Sequence, residues 1–110
     1  MPVDVEVEHL DTHTLVRVRG ELELATSQEF QAHLGTLDAS AGPIVVDLSE
    51  VTFLDSSALR VLVQTRLRLE SSDELRLVIP RPQLRRIFEI SGLSGDFVLC
   101  ERLDEATQGL

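Results

Sequence analysis

Valines and acids alternate at the start of the chain, Val3, Val5 and Val7 interleaved with Asp4, Glu6 and Glu8. A period of two predicts a strand with its valines on a core and its acids in water. Alternation resumes from Thr14 to Arg19, where Leu15 or Val16 and Val18 interleave with Arg17 and Arg19, and the polar link Asp11, Thr12, His13 fits a hairpin turn. Gly20 is read as the end of this second strand. The period then changes. Phe30, Leu34 and Leu37 follow i, i+4, i+7 spacing behind the capping candidates Thr26 and Ser27, which predicts a helix from about Thr26 to Leu37.

Residues 38–43, with Gly42 and Pro43, read as a loop leading into Ile44, Val45, Val46, Asp47, Leu48. This β-branched run lies between helices and so predicts a central strand parallel to its neighbours. Val51, Thr52, Phe53 and Leu54 form an apolar segment too short to count as another full strand. From Ala58 the pattern is helical through Leu59, Leu62, Val63 and Leu67 to about Glu70, with Asp55, Ser56 and Ser57 as the entry turn. Leu75, Leu77, Val78 and Ile79 predict a strand ended by Pro80. Pro82, Leu84, Ile87, Phe88 and Gly92 mark a third helix from first turn to stop. Phe97 to Cys100 reads as a last short strand, and Asp104 as the cap of a terminal helix over Glu105 to Gln108.

The order β-β-α-β-α-β-α-β-(α) defines an α/β class: a mixed central sheet of about five strands with three to four helices packed on it. The 110 residues, read as one domain over 1–110, suffice for a single two-layer core.

A net charge of −9 argues against nucleic-acid phosphates and anionic membrane surfaces as partners. The start of the chain carries no basic region followed by an apolar stretch, and no apolar run reaches membrane-spanning length, so a cytoplasmic protein without membrane insertion is expected. The single cysteine, Cys100, excludes an intrachain disulfide and reads as a small core residue; no Cys/His cluster offers a metal site, and no cofactor is expected. All ten basic residues are arginine, and neither a Walker-type nor a GxGxxG phosphate loop occurs. The histidines His9, His13 and His33 read as solvent-facing. Acid pairs such as Glu21 with Glu23, or Asp47 with Asp55, read as solvated surface rather than as an acid/base pair. The turn LDSSA lacks the glycines of a hydrolase elbow. An enzyme is not expected.

What stands out is the turn itself. Asp55 is the best N-cap candidate, its carboxylate accepting from the amide of Ser57 or Ala58 at the positive end of the helix dipole, which leaves Ser56 as the first helical residue. On local chemistry two readings stand: plain capping by the whole Asp55–Ser57 set, or a control point at Ser56. The apolar run Ala58, Leu59, Val61, Leu62, Val63 covers more of the helix than a sheet-facing stripe needs, so part of it is expected to meet a partner. A phosphate of about −1.5 to −2 charges at the rim of such a patch would be costly to bury.

The stretch VVDLSEVTFLDSSALRVLV, residues 45–63, resembles the signature of bacterial STAS-domain anti-sigma factor antagonists. VRVRGELELATSQEF, residues 16–30, is similar to the strand, GELD turn and first helix of that family, and RRIFEISGLSGDF, residues 85–97, to its third helix and following loop. The resemblance implies partner switching. The unphosphorylated antagonist binds an anti-sigma factor that is also a serine/threonine kinase, releasing the sigma factor; the kinase phosphorylates the serine after the Asp, here Ser56, and a PP2C-type phosphatase restores the binding form. The expected partner contacts are Asp55, Ser56, Ser57, Ala58, Leu59, Arg60, Glu21 and Glu23, with a monomer as the free state. Ala58 and Arg60 stand where the family commonly has Gly, and Glu23 where it has Asp; these departures bear on which partner is recognised. Arg60 could pair with a phosphate or an acidic partner, or simply solubilise the surface. The competing expectation is a structural STAS subunit, in a lipid transport complex or a signalling scaffold, in which Ser56 only helps to cap the helix.

Overall fold

The computed structural model describes residues 3–110. Among them the elements run β1 (Asp4–His9), β2 (Thr14–Leu22), α1 (Ser27–Leu34), β3 (Ile44–Leu54), α2 (Ser56–Arg68), β4 (Leu75–Val78), α3 (Pro82–Ile90), β5 (Val98–Cys100) and α4 (Leu103–Ala106). The five strands form one mixed sheet in the order β1-β2-β3-β4-β5. The β1–β2 hairpin is antiparallel and every other neighbour is parallel, as helical crossovers require. Among the described residues no helix is long and apolar enough to cross a membrane.

The alternation within the strands decides two cores. Val16, Val18, Ile44, Val46, Leu75 and Leu77 point to the face covered by α1, α2 and α3, where Phe30, Leu34, Leu62 and Phe88 are fully buried. Leu15, Val45, Val78 and Cys100 point to the other face, where Ala106 of α4 closes a smaller cluster. Burial pushes the Cys100 thiol up, with Glu105 adding, so it stays protonated. The ring of Phe88 meets Phe97 edge-on at 5.8 Å between centroids, tying α3 to the approach of β5.

Several expectations are corrected. β2 does not end at Gly20 but passes through it to Leu22, and β3 does not stop at Leu48 but continues to Leu54. Between Arg17 and Arg19, and again between Gly20 and Glu21, β3 carries one residue more than β2, so these are bulges. Gly20 has φ +104°, a conformation that suits glycine and admits the second irregularity. The Asp47 carboxylate accepts from the amide of Ser49 at 3.0 Å and from its hydroxyl at 2.6 Å, holding the first. The bulges convert the period of two into buried positions three apart: Leu48, Val51 and Leu54.

α1 stops at Leu34 rather than Leu37, and α4 starts at Leu103 with Asp104 inside its first turn, where Arg102 pairs with it at 3.3 Å. His13 is buried rather than solvent-facing. Its Nδ1 lies 2.9 Å from the Thr12 hydroxyl, and the loop ahead of β3 folds over this hairpin link, with the Thr14 amide donating to the Pro43 carbonyl at 3.0 Å.

Candidate functional site

Both bulges lie upstream of the point where β2 and β3 end side by side, Leu22 opposite Leu54. The chain leaves β3 there, and the Asp55 amide donates to the Leu22 carbonyl at 3.1 Å. The start of α2 is thereby fixed to the end of β2. Asp55 has extended backbone angles and caps α2 as expected, accepting from the Ser57 amide at 2.9 Å and from the Ser57 hydroxyl on the same carboxylate oxygen. The Ser57 hydroxyl holds the Asp55 carboxyl below its ordinary range; the amides of Ser57, Ala58 and Leu24 add to this, and partial burial opposes it.

A second turn, after β2, is built against the first. The Thr26 hydroxyl donates to the Glu21 carbonyl at 2.6 Å and accepts from the Glu23 amide at 3.0 Å, so Thr26 pins the acidic turn instead of capping α1. The Glu23 carbonyl accepts from the amides of Thr26 and Ser27 at 3.0 and 2.8 Å. Ser57 donates its proton to Asp55, so the Ser27 hydroxyl, 2.8 Å from both the Glu23 carbonyl and Ser57 Oγ, divides its one proton between these two acceptors. A chain of hydroxyls, Ser27 to Ser57 to Asp55, therefore joins α1 to the cap of α2.

Ser56 stands apart from this chain. It is exposed, and among the described residues its hydroxyl forms no hydrogen bond within the protein, whereas both neighbours are locked into the cap. Ser56 opens onto a groove of about 420 Å³, with Leu24, Ser27 and Gln28 on one wall and Ser56, Ser57 and Arg60 on the other.

The structure thus brings Asp55, Ser56, Ser57 and Arg60 together. Ala58 and Leu59 are buried, 0% and 8% exposed. The physical reason is that α2 beds into the major core: Ala58, Leu59, Val61 and Leu62 are all buried there, and Val63 packs half-buried against it. Glu21 and Glu23 contribute their carbonyls to the turn and are half-buried. The exposed apolar surface in the groove comes instead from Leu24, 79% exposed. Neither Leu24 nor Ser27 was singled out from sequence as a partner contact. The only hint of Leu24 is its departure from helical spacing between two acids and the capping run.

Asp55→Ala is expected to cost about 1–2 kcal/mol at neutral pH, at the upper end for a lost cap because the Ser57 hydroxyl loses its acceptor too. The folded pKa lies below the ordinary 3.8, so this stabilisation is present above 3.8 and lost as pH falls through the folded value. Urea midpoints of wild type and variant should therefore converge in acid. A gap that stays constant down to pH 2 would show that ionisation of Asp55 is not its source.

A family model for the STAS domain matches residues 4–106. The anti-sigma-B factor antagonist of Listeria monocytogenes is 33% identical over 97 residues, covering 86% of this chain and 85% of its own length. The anti-sigma-F factor antagonist RsfB of Mycobacterium tuberculosis is 29% identical over 97 residues, covering 87% of this chain and 80% of its own length. Among solved structures, an anti-sigma factor antagonist from Mycobacterium paratuberculosis superposes with a TM-score of 0.85 at 32% identity, covering 94% of this chain and 90% of that one. With its five-stranded mixed sheet, the Asp55–Ser57 turn at the head of α2 and a match along nearly all its length, this chain belongs to the STAS-domain family.

Proposed function

We propose that this protein is an anti-sigma factor antagonist, active as a binding switch and not as an enzyme. In its unphosphorylated form it binds an anti-sigma factor serine/threonine kinase and so releases the sigma factor. The kinase transfers the γ-phosphoryl group of ATP to Ser56 Oγ, ADP leaves, and the phosphorylated form loses its hold. A PP2C-type phosphatase returns the hydroxyl by hydrolysis. The protein works in the cytoplasm, as a monomer when free, and touches no nucleic acid directly.

The observation that carries this reading is the division of labour in the entry turn. Asp55 and Ser57 satisfy the helix start between them, which leaves Ser56 exposed and unbonded among the described residues. A serine needed only for capping would be engaged with the backbone. The names of the relatives support the same reading, and the exposed Leu24, which lines the same groove as the serine, supplies an apolar anchor.

Intact mass after incubation with ATP and each candidate kinase tests it. One phosphate on wild type and none on Ser56→Ala is expected. Failure of every kinase to label the protein, or label that persists in Ser56→Ala, would count against a switch at Ser56.

A further inference from the structure

Arg60 lies one turn beyond Ser56 on α2, and the two residues line the same wall of the groove. Positions four apart on a helix are surface neighbours, within reach of two long side chains. Arg66 and Arg68 are occupied in donating to backbone carbonyls of Asp96, Leu34 and Leu37. Arg60 is exposed, and among the described residues it has no ion-pair partner.

The head of α2 offers little to an anion arriving on Ser56. The Ser57 amide is already taken by the Asp55 carboxylate, and the Ala58 amide leans on the same group. A phosphate there would meet an ionised Asp55 beside it and find its charge partner one turn further on. We propose that Arg60 is the internal counter-ion of phosphorylated Ser56, drawing the phosphoryl group back along α2 into the groove between α1 and α2. This inference rests on the reading that Ser56 accepts phosphate, and it adds a structural consequence. Phosphorylation then removes the groove from a partner by filling it, in addition to placing charge at its rim. A guanidinium suits this role because its planar donors can engage two phosphate oxygens at once.

The test uses the full chain with phosphoserine encoded at position 56 during translation, so that it does not depend on any kinase. The readout is the second ionisation of the phosphate, followed by phosphorus NMR across pH. A neighbouring cation favours the dianion and lowers that pKa. The midpoint should therefore rise by about half a unit in Arg60→Gln, the scale of an exposed but charge-assisted helical pair. Arg60→Lys, which keeps the charge and loses the fork, should fall between wild type and Arg60→Gln. Equal midpoints in wild type and Arg60→Gln would overturn the proposal, as would a rise in Arg60→Lys as large as in Arg60→Gln, which would point to a structural effect of losing the arginine. Neither result would touch the switch reading, which fails separately if kinases do not label Ser56.

Discussion

Ser56→Asp is expected to bind an anti-sigma factor kinase about thirtyfold or more weakly than wild type, while Ser56→Ala binds as wild type does. The first expectation follows from where Ser56 sits. Leu24 and Ser56 line one groove, so a partner that fills it meets both the exposed leucine and the serine. A carboxylate buried there beside the ionised Asp55 meets like charge and loses its water, and an unpaired charge under an interface costs about 2 kcal/mol or more. At about 1.4 kcal/mol per tenfold in affinity, that is the stated loss. The second expectation follows from the absence, among the described residues, of any hydrogen bond to the Ser56 hydroxyl: its removal leaves nothing inside the protein unsatisfied. Titration calorimetry with a purified kinase gives both affinities. Urea unfolding serves as the control, since exchanges at an exposed position should leave stability within about 0.5 kcal/mol. Equal affinities for the two variants would remove charge as the operative signal and leave Ser56 with no switching role.

What could be read in the chain, and what could not, divides by the range of the interaction. The hairpin β1–β2 and the cap at Asp55 depend on neighbours within a few residues, and both were legible as period-two alternation and as cap chemistry. The continuation of β3 was not, because its two bulges break the alternation and because Asp47, Ser49 and Glu50 look like a polar loop when the partner strand is out of view. His13 read as a turn residue, and only the loop at Gly42 and Pro43, thirty residues on, buries it. The apolar excess of α2 was visible, but its destination was not. A stripe wide enough for a partner is absorbed by a core that reaches around the helix, and the exposed apolar residue in the groove is Leu24. Likewise the serine at the centre of the site was legible from its own neighbours, whereas Ser27, which steadies Ser57 across thirty positions of sequence, carries no local mark of that contact.

Gly42→Ala should be the most damaging small substitution outside the core, lowering stability by about 3 kcal/mol and the melting midpoint by on the order of 15 °C. Two costs combine. Gly42 has φ +123°, a region that residues with a side chain avoid, and imposing it on alanine costs about 1–2 kcal/mol. The added methyl would also lie 1.9 Å from the Thr12 carbonyl oxygen and 2.7 Å from its carbon, backbone atoms that no rotamer change can move aside. Relief requires the loop to lift from the hairpin link, which strains the Thr14–Pro43 hydrogen bond where β2 and β3 begin to pair and loosens the cover over His13. Gly92 supplies the comparison: it too has a positive φ, +73°, yet an added Cβ there would meet nothing within 4 Å. Gly92→Ala should therefore show the conformational cost alone, about 1 kcal/mol. Thermal and urea unfolding of the two variants side by side separate the terms. Equal losses would mean that the close approach of Gly42 to Thr12 contributes nothing; a loss for Gly42→Ala two or three times the larger would place the excess in that contact, and with it the closure of the sheet on which the Ser56 turn is mounted.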